Sequence, residues 1–555
     1  MKNLLALSLI FSVSLACAQP NEKELQKQLN ELASSMLKSG EPGATIAVAK
    51  GDKILFSKGY GSANPEYDIP NTPSTIFHVA SVSKQFTAFA IAMLADQGKL
   101  SLDDDIRKYL PELHDFGYKI TIKHLVHHTS GLRDQWNLLA LAGWRLDDVI
   151  TKNQVLRLIS QQDELNFKPS EEFSYCNTGY TLMAEIVARV SGKTFPEWCS
   201  ENIFKPLKMD NTLFYDDHEK IVKNRAYSFH ESPEGLKKSV LSYANAGATS
   251  LFTTAEDLVK WSNNFHSMKV GNARVMKQME ERGILTKGDT ISYAFGQSIA
   301  EYKGLKTISH SGGDAGYRSF LLRFPDQRYS IVVLSNMGSF APGRLAYQIA
   351  DVCLKGILKE ETKKGDEKKT DGTFKVSEAL LKLYEGEYQL TGEMVVTVKN
   401  DNGNLTAQAT GQSSFPLTAS SETDFIFDAA GIKMSFPKVL DKPAPEFTLY
   451  QGGQTIVAKR LKVFDRNSVQ LADYSGVYYS PELETSYKLK VIENELIATH
   501  VRHEPAELIP TAPDTFSTDA WFMSSVTFLR NTDGQITGLK VSSGRVKNVR
   551  FMKQP

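Results

Sequence analysis

Ser81 and Lys84 are the residues whose types and spacing most directly imply covalent chemistry. A serine hydroxyl is a weak nucleophile near neutral pH and needs a base beside it. A lysine three positions later lies on the same face of a helix, so its amine can reach the serine oxygen. It works as a base only when burial or nearby cations lower its pKa. A helix is expected to follow at once. Val82, Phe86, Phe89 and Met93 mark an apolar face, and Gly98 is its expected end. A serine at a helix start also gains from the N–H groups that point outward there. Ser-x-x-Lys also occurs by chance, and Ser81 could serve only as a cap.

Two further segments carry compatible chemistry. Tyr175-Cys176-Asn177 offers a phenol for proton transfer and an amide able to bond both an amine and a substrate carbonyl. An extended backbone would turn Tyr175 and Asn177 into one cleft and Cys176 away from it, as a small buried filler. His310-Ser311-Gly312-Gly313 follows an expected strand. Its histidine could orient the tyrosine or meet a substrate group. Its glycines let a substrate lie against the strand edge. The plain alternatives are a core tyrosine with an Asn helix cap, and a turn carrying a surface histidine.

In this order the three motifs resemble those of the penicillin-recognising serine hydrolases. That family includes class C β-lactamases, D-alanyl-D-alanine carboxypeptidases, D-aminopeptidases and esterases. Phe77-His78-Val79-Ala80-Ser81, His128-Thr129-Ser130-Gly131-Leu132 and Ile203 through Met209 resemble it too. The resemblance implies Ser81 as nucleophile, Lys84 as base and Tyr175 as proton relay. It implies an oxyanion hole from the backbone N–H groups of Ser81 and Gly313, with Asn177, His310 and Gly312 binding substrate. The third motif is often Lys-Thr-Gly. Here it reads His310-Ser311-Gly312, nearer the peptidase and esterase branches than typical β-lactamases.

The expected function is therefore an exported hydrolase of amide bonds in D-amino-acid peptides, of D-aminopeptidase or D-Ala-D-Ala carboxypeptidase type. A carboxylesterase or β-lactamase of the same family is the enzyme alternative. A non-catalytic module binding peptidoglycan or protein is the alternative of a different class. The expected partner is a small peptide, amide or ester, with cell-wall peptidoglycan fragments as a further ligand class. No cofactor or metal is implied. His124 and His128 are four apart, yet no His-Glu-x-x-His pattern accompanies them and His127, so packing or a polar edge is expected. Asp103-Asp104-Asp105 reads as helix capping rather than a calcium cluster. Trp136 either lines the cleft or anchors the core.

These groups need a scaffold to converge. The 555 residues are enough for about two to four domains. Basic and acidic residues balance at 64 each, which gives no sign of a nucleic-acid partner. Residues 1–18 read as a signal peptide, with Lys2, an apolar stretch and Ala16-Cys17-Ala18 as the cleavage site. Lipidation at Cys17 is the alternative, giving a membrane-anchored lipoprotein instead of a secreted or periplasmic protein. No later segment is long and apolar enough to span a bilayer. Cys176, Cys199 and Cys353 remain, an odd number that allows one disulfide at most.

Residues 21–359 read as one α+β catalytic domain. Helices are expected at 22–38, 177–190 and 255–265, with Thr254 capping the last. A hairpin is expected from Thr45–Ala49 and Lys53–Phe56, and late strands at Thr307–His310, Arg318–Phe324 and Ser330–Leu334. The early and late strands are expected to share one antiparallel sheet, in the β-lactamase/transpeptidase-like arrangement that the resemblance implies. Residues 360–373 read as a charged linker. Two barrel-like all-β domains are then expected at 374–465 and 468–555. Their sign is an internal repeat, offset by about 90 residues. Tyr384-x-Gly386-x-Tyr388 returns as Tyr474-x-Gly476-x-Tyr478, Phe436 as Phe528 and Gly453 as Gly544.

Overall fold

The computed structural model describes residues 22–359, 374–391, 394–409, 414–427, 432–451, 454–461 and 464–555. The expected signal peptide, Cys17, the linker 360–373 and Gly453 lie outside the described residues.

A six-stranded antiparallel sheet organises the first part of the chain. β1 (Ala44–Lys50) and β2 (Lys53–Tyr60) form the hairpin. β3 (Ser298–Tyr302), β4 (Leu305–Asp314), β5 (Tyr317–Phe324) and β6 (Tyr329–Ser335) come from the far end of the domain. The order is β3-β4-β5-β6-β1-β2, so early and late strands share the sheet. Both faces are covered, which is why β1 and β6 are almost continuously apolar. Ile46, Val48, Ile331 and Val333 meet α1 (Glu22–Met36) and the helix Pro342–Cys353. Ala47, Ala49, Val332 and Leu334 face the opposite core.

That second core holds α2 (Lys84–Asp96), α3 (Asn177–Ser191) and α4 (Ala255–Ser267). Here α2 departs from the expected single apolar face. Every residue from Lys84 to Ala92 is buried, while Met93 is only partly so. The helix packs against α3, α4 and the helix Ala273–Met279, so over this stretch it has no solvent face to mark. Trp261 of α4 packs 4.3 Å from Phe86 and 5.0 Å from Phe89, and its indole donates to Gln85 Oε1 at 3.0 Å. Gly98 ends α2 at φ +70°. Gly192 ends α3 in the left-handed region, and Thr254 caps α4 through the Asp257 N–H.

Asp105 acts as a cap, as read from sequence, but on a short 3-10 turn rather than a full α-helix, and Asp104 closes the turn before it. Asp105 accepts from the Arg107 N–H, and Asp104 from the Ser101 N–H. His124 completes a capping box with Thr121. Cys176, Cys199 and Cys353 are free, buried thiols.

The repeat folds as two barrel-like units. Residues 386–460 form a nine-stranded sheet whose end strands, Phe415–Pro416 and Thr418–Ala419, adjoin in sequence and leave it nearly closed. Residues 476–553 form a closed eight-stranded barrel. The repeated tyrosines perform one task in both. Tyr388 donates its hydroxyl to Tyr384 O at 2.8 Å, and Tyr478 to Tyr474 O at 2.8 Å. Tyr384 then stacks on Phe436, and Tyr474 packs edge-on to Phe528. The Tyr-x-Gly-x-Tyr motif thus ties the entry to each unit's first strand onto its aromatic core.

The second barrel docks on the catalytic domain. The Arg133 guanidinium is fully buried between them, with Glu482 Oε2 at 2.6 Å, Lys547 O at 3.1 Å and Asn548 O at 3.2 Å. Tyr487 donates to Leu141 O at 3.0 Å, and Asn137 to Ser543 Oγ at 3.0 Å. Gly143 lies so close to His500 that a Cβ there would sit 2.2 Å from the ring. Among the described residues no helix is long and apolar enough to cross a membrane.

Candidate active site

Ser81 lies on a 3-10 turn, Ala80–Ser83, that leads into α2. Ala80 holds φ +47°, an uncommon conformation for a side chain with a Cβ, costing about 1–3 kcal/mol. Neighbours hold the turn in place. Ser83 Oγ donates to Ala80 O and accepts from the Leu251 N–H. Ser319 Oγ of β5 donates to Val79 O at 2.8 Å. Gly312 of β4 approaches so closely that a Cβ there would sit 2.2 Å from Val79 O and 3.1 Å from the Ala80 Cβ. Gly312 is required by this packing, whatever else it does. It brings Gly313 beside the serine turn.

Lys84 is fully buried, and its Nζ points back along α2. It lies 3.1 Å from Ser81 Oγ, 2.8 Å from Asn177 Oδ1 and 2.7 Å from Ala248 O. Burial pulls its pKa down to about 7. Asp314 and Asp134 oppose that shift, while Arg545 adds to it. A substantial neutral fraction therefore exists near neutral pH.

Cys176 is extended and Asn177 opens α3, so Tyr175 and Asn177 face one site while the Cys176 thiol bonds Leu132 O at 3.3 Å. The Lys84 Nζ lies 4.8 Å from the centre of the Tyr175 ring. The Tyr175 hydroxyl is buried and makes no well-formed hydrogen bond among the described residues. Burial raises its pKa, while the nearby Ser81 hydroxyl and the Arg545 cation favour the phenolate.

Of the two places read for His310, the structure does not give it the one beside the Tyr175 hydroxyl. It does not bond Tyr175, whose ring centre is 6.2 Å away. Its Nδ1 faces Ser311 O at 2.6 Å and its Nε2 faces the Tyr293 hydroxyl at 2.9 Å. Burial and Lys84 pull its pKa down to about 4, so the ring is neutral at pH 7, donating from Nδ1 and accepting at Nε2. His128 lies beneath Tyr175, ring centres 4.2 Å apart, and accepts the Cys176 N–H at Nδ1. His127 meets Glu281 O at 2.9 Å. The three histidines are thus committed to separate contacts. Trp136 is partly buried and stacks on Tyr243, which lines the cleft.

Sequence reasoning missed Asp134, Tyr293 and the cluster at Asp314. Asp134 Oδ2 accepts from the Asn177 N–H at 2.6 Å and its Nδ2 at 2.8 Å. That fixes the amide, leaving Oδ1 toward Lys84. Asp134 also caps the helix Gln135–Leu141, and this cap was the one local signal available. Its bond to a residue 43 positions away was not. Asp314 ends β4, where its carboxylate meets His78 Nε2 at 2.9 Å and the Thr249 hydroxyl. Thr249 adjoins Ala248, the third acceptor of Lys84. Beyond Gly313 and Asp314 lies a cleft of about 530 Å3, with Tyr243, Arg318, Lys238 and His230 on its walls.

Asp134→Ala is expected to free the Asn177 amide and lower hydrolytic kcat by roughly 10- to 100-fold, with the fold kept. Steady-state kinetics with a circular-dichroism check would read this. Asp134→Asn should retain more activity than Asp134→Ala, because one acceptor oxygen remains.

Residues 22–353 match the family model described as Beta-lactamase. The chain belongs to that family. It is a hydrolase of the β-lactamase and penicillin-binding-protein superfamily, which acts on amide or ester bonds. It is 27% identical to penicillin-binding protein 4* of Bacillus subtilis over 459 residues, covering 79% of this chain and 99% of that one. It is 29% identical over 323 residues to protein flp of Staphylococcus aureus, covering 57% of this chain and 63% of that one. Among solved structures it resembles the octameric penicillin-binding protein homologue from Pyrococcus abyssi, with a TM-score of 0.56 and 25% identity. That match covers 79% of this chain and all of the other. The D-amino acid amidase of Ochrobactrum anthropi SV3 shares the fold, with a TM-score of 0.51 at 21% identity over 60% of this chain and 98% of its own.

Proposed function

We propose that the protein is a serine hydrolase that cleaves amide bonds of D-amino-acid peptides through an acyl-enzyme on Ser81. The observation that carries this reading is the buried Lys84 amine, 3.1 Å from the Ser81 hydroxyl and with its pKa drawn to about 7. Neutral Lys84 takes the hydroxyl proton as the Ser81 oxygen bonds the substrate carbonyl carbon. The backbone N–H groups of Ser81 and Gly313 receive the oxyanion. Tyr175 hands a proton to the leaving nitrogen as the C–N bond breaks and takes one back from protonated Lys84, which is neutral again before water enters. A water then adds to the acyl carbon, gives up its proton along the same route, and Ser81 departs with a proton restored. Asn177 orients Lys84, and neutral His310 and Gly312 shape the substrate side of β4.

Two features favour peptide over β-lactam substrates. The third motif presents a neutral histidine where a β-lactamase has a lysine cation, and a D-amino acid amidase shares this fold. An exported location would bring peptidoglycan fragments within reach.

The test is intact-mass detection of an acyl adduct on the full chain, offered D-alanyl peptides, a short p-nitrophenyl ester and penicillins. Wild type is expected to gain one acyl group and to turn over the D-peptides fastest. Ser81→Ala is expected to gain none. Equal adducts on both proteins would remove Ser81 from the mechanism. Ester turnover without peptide turnover would make the protein a carboxylesterase.

A further inference from the structure

The second barrel reaches the candidate active site through one side chain. Its hairpin Ile536–Ser543/Val546–Lys553 turns at Gly544 and Arg545. The Arg545 guanidinium lies over the Tyr175 ring, 5.1 Å from its centre. Lys84 approaches the same ring at 4.8 Å, so two basic side chains lie near one phenol. The backbone of Arg545 is pinned, since its carbonyl accepts from the Asp134 N–H at 3.2 Å and from Asn166 Nδ2 at 2.9 Å. Asn166 also accepts the Lys547 N–H at 2.7 Å. The residue that holds Asn177 in place thus also holds the barrel turn.

The guanidinium itself is exposed, and among the described residues it makes no hydrogen bond or ion pair. The cations that line the cleft beyond Gly313 are engaged. Arg318 donates to the carbonyls of Ala315 and Tyr317, and Lys238 pairs with Glu66 at 3.0 Å. An exposed arginine with its backbone held, its guanidinium unpaired and its head over the Tyr175 ring is a fork suited to a carboxylate. We propose that Arg545 recognises an anionic group, of carboxylate class, on the substrate acylated at Ser81, so that the second barrel supplies part of the substrate specificity. This rests on the hydrolase reading above.

The experiment compares two esters of matched length on the full chain, mono-p-nitrophenyl glutarate and neutral p-nitrophenyl valerate. Their kcat/KM ratio cancels any effect Arg545 has on Tyr175 that both substrates share. Arg545→Ala is expected to lower the anionic-to-neutral ratio by about tenfold or more, Arg545→Lys to restore part of it, and Arg545→Glu to lower it furthest. Salt should erode the wild-type ratio and not that of Arg545→Ala. An unchanged ratio in Arg545→Ala overturns the proposal. A second arm needs no catalysis. Glutaric acid monoanilide is titrated calorimetrically into Ser81→Ala and into Ser81→Ala with Arg545→Ala, and the second is expected to bind about tenfold more weakly. Equal affinity overturns the Arg545 assignment. A tenfold loss together with failure of ester turnover in wild type would sink the hydrolase reading alone.

Discussion

Lys84→Met is expected to lower kcat/KM by roughly 10²- to 10⁴-fold, the range for loss of a positioned general base. Wild-type log kcat/KM should climb with unit slope on the acid side and level off above about pH 7, where Lys84 has lost its proton. The variant's residual rate should show no inflection there. A wild-type profile that is flat between pH 5 and 8 would exclude Lys84 as the base.

The same shift predicts a stability difference. Folding lowers the Lys84 pKa, so between about pH 7 and the unfolded value near 10.5 the unfolded chain holds a proton that the folded chain lacks. Stability from this group therefore rises with pH across that window. Urea unfolding of wild type minus Lys84→Met should shift by about 2 kcal/mol in favour of wild type between pH 7 and 9. No such drift would mean that the amine is not buried as placed.

The second large effect concerns the docked barrel. Arg133 is fully buried, and Glu482 is its 2.6 Å partner. Glu482→Ala leaves that cation with carbonyls, Gln162 and a more distant Glu164 at 3.6 Å. Removing one partner of a buried pair costs about 3–5 kcal/mol, because the other stays desolvated. The expected result is a lower urea midpoint, faster proteolysis at the barrel junction and reduced discrimination for anionic esters, since Arg545 belongs to the same barrel. Glu484→Ala is the control. It removes an ion pair with Arg157 in which both side chains are solvated, so the midpoint should stay near wild type. Equal midpoints for the two variants would mean that Arg133 does not hold the barrel.

Much of the scaffold was legible because local patterns dictated it. Thr254, Gly98 and Gly192 mark helix ends through backbone chemistry that needs no distant partner. Apolar and β-branched runs bounded by turn residues marked β1, β2 and the late strands. The tyrosine repeat announced two like units. The pairing of β1 with β6 could be anticipated but not registered, since register depends on which faces are buried. The buried face read for α2 holds at Val82, Phe86 and Phe89, but burial extends around the helix. Periodicity reports a solvent boundary, and from Lys84 to Ala92 this helix has none.

At the site, spacing placed Ser81 against Lys84, because three residues of helix fix that separation, and the alternation of residues 175–177 turned the Cys176 thiol away. Local sequence alone determined those facts. The groups that surround this pair came from elsewhere in the chain. Asp134 clamps Asn177, Tyr293 takes His310 away from Tyr175, Asp314 joins His78, and Arg545 arrives from the last hairpin of the molecule. Sequence carries no mark of these because each depends on a long loop closing in one geometry. The depth of burial that lowers the Lys84 pKa is likewise a sum over the surrounding domain, and only the folded chain performs that sum.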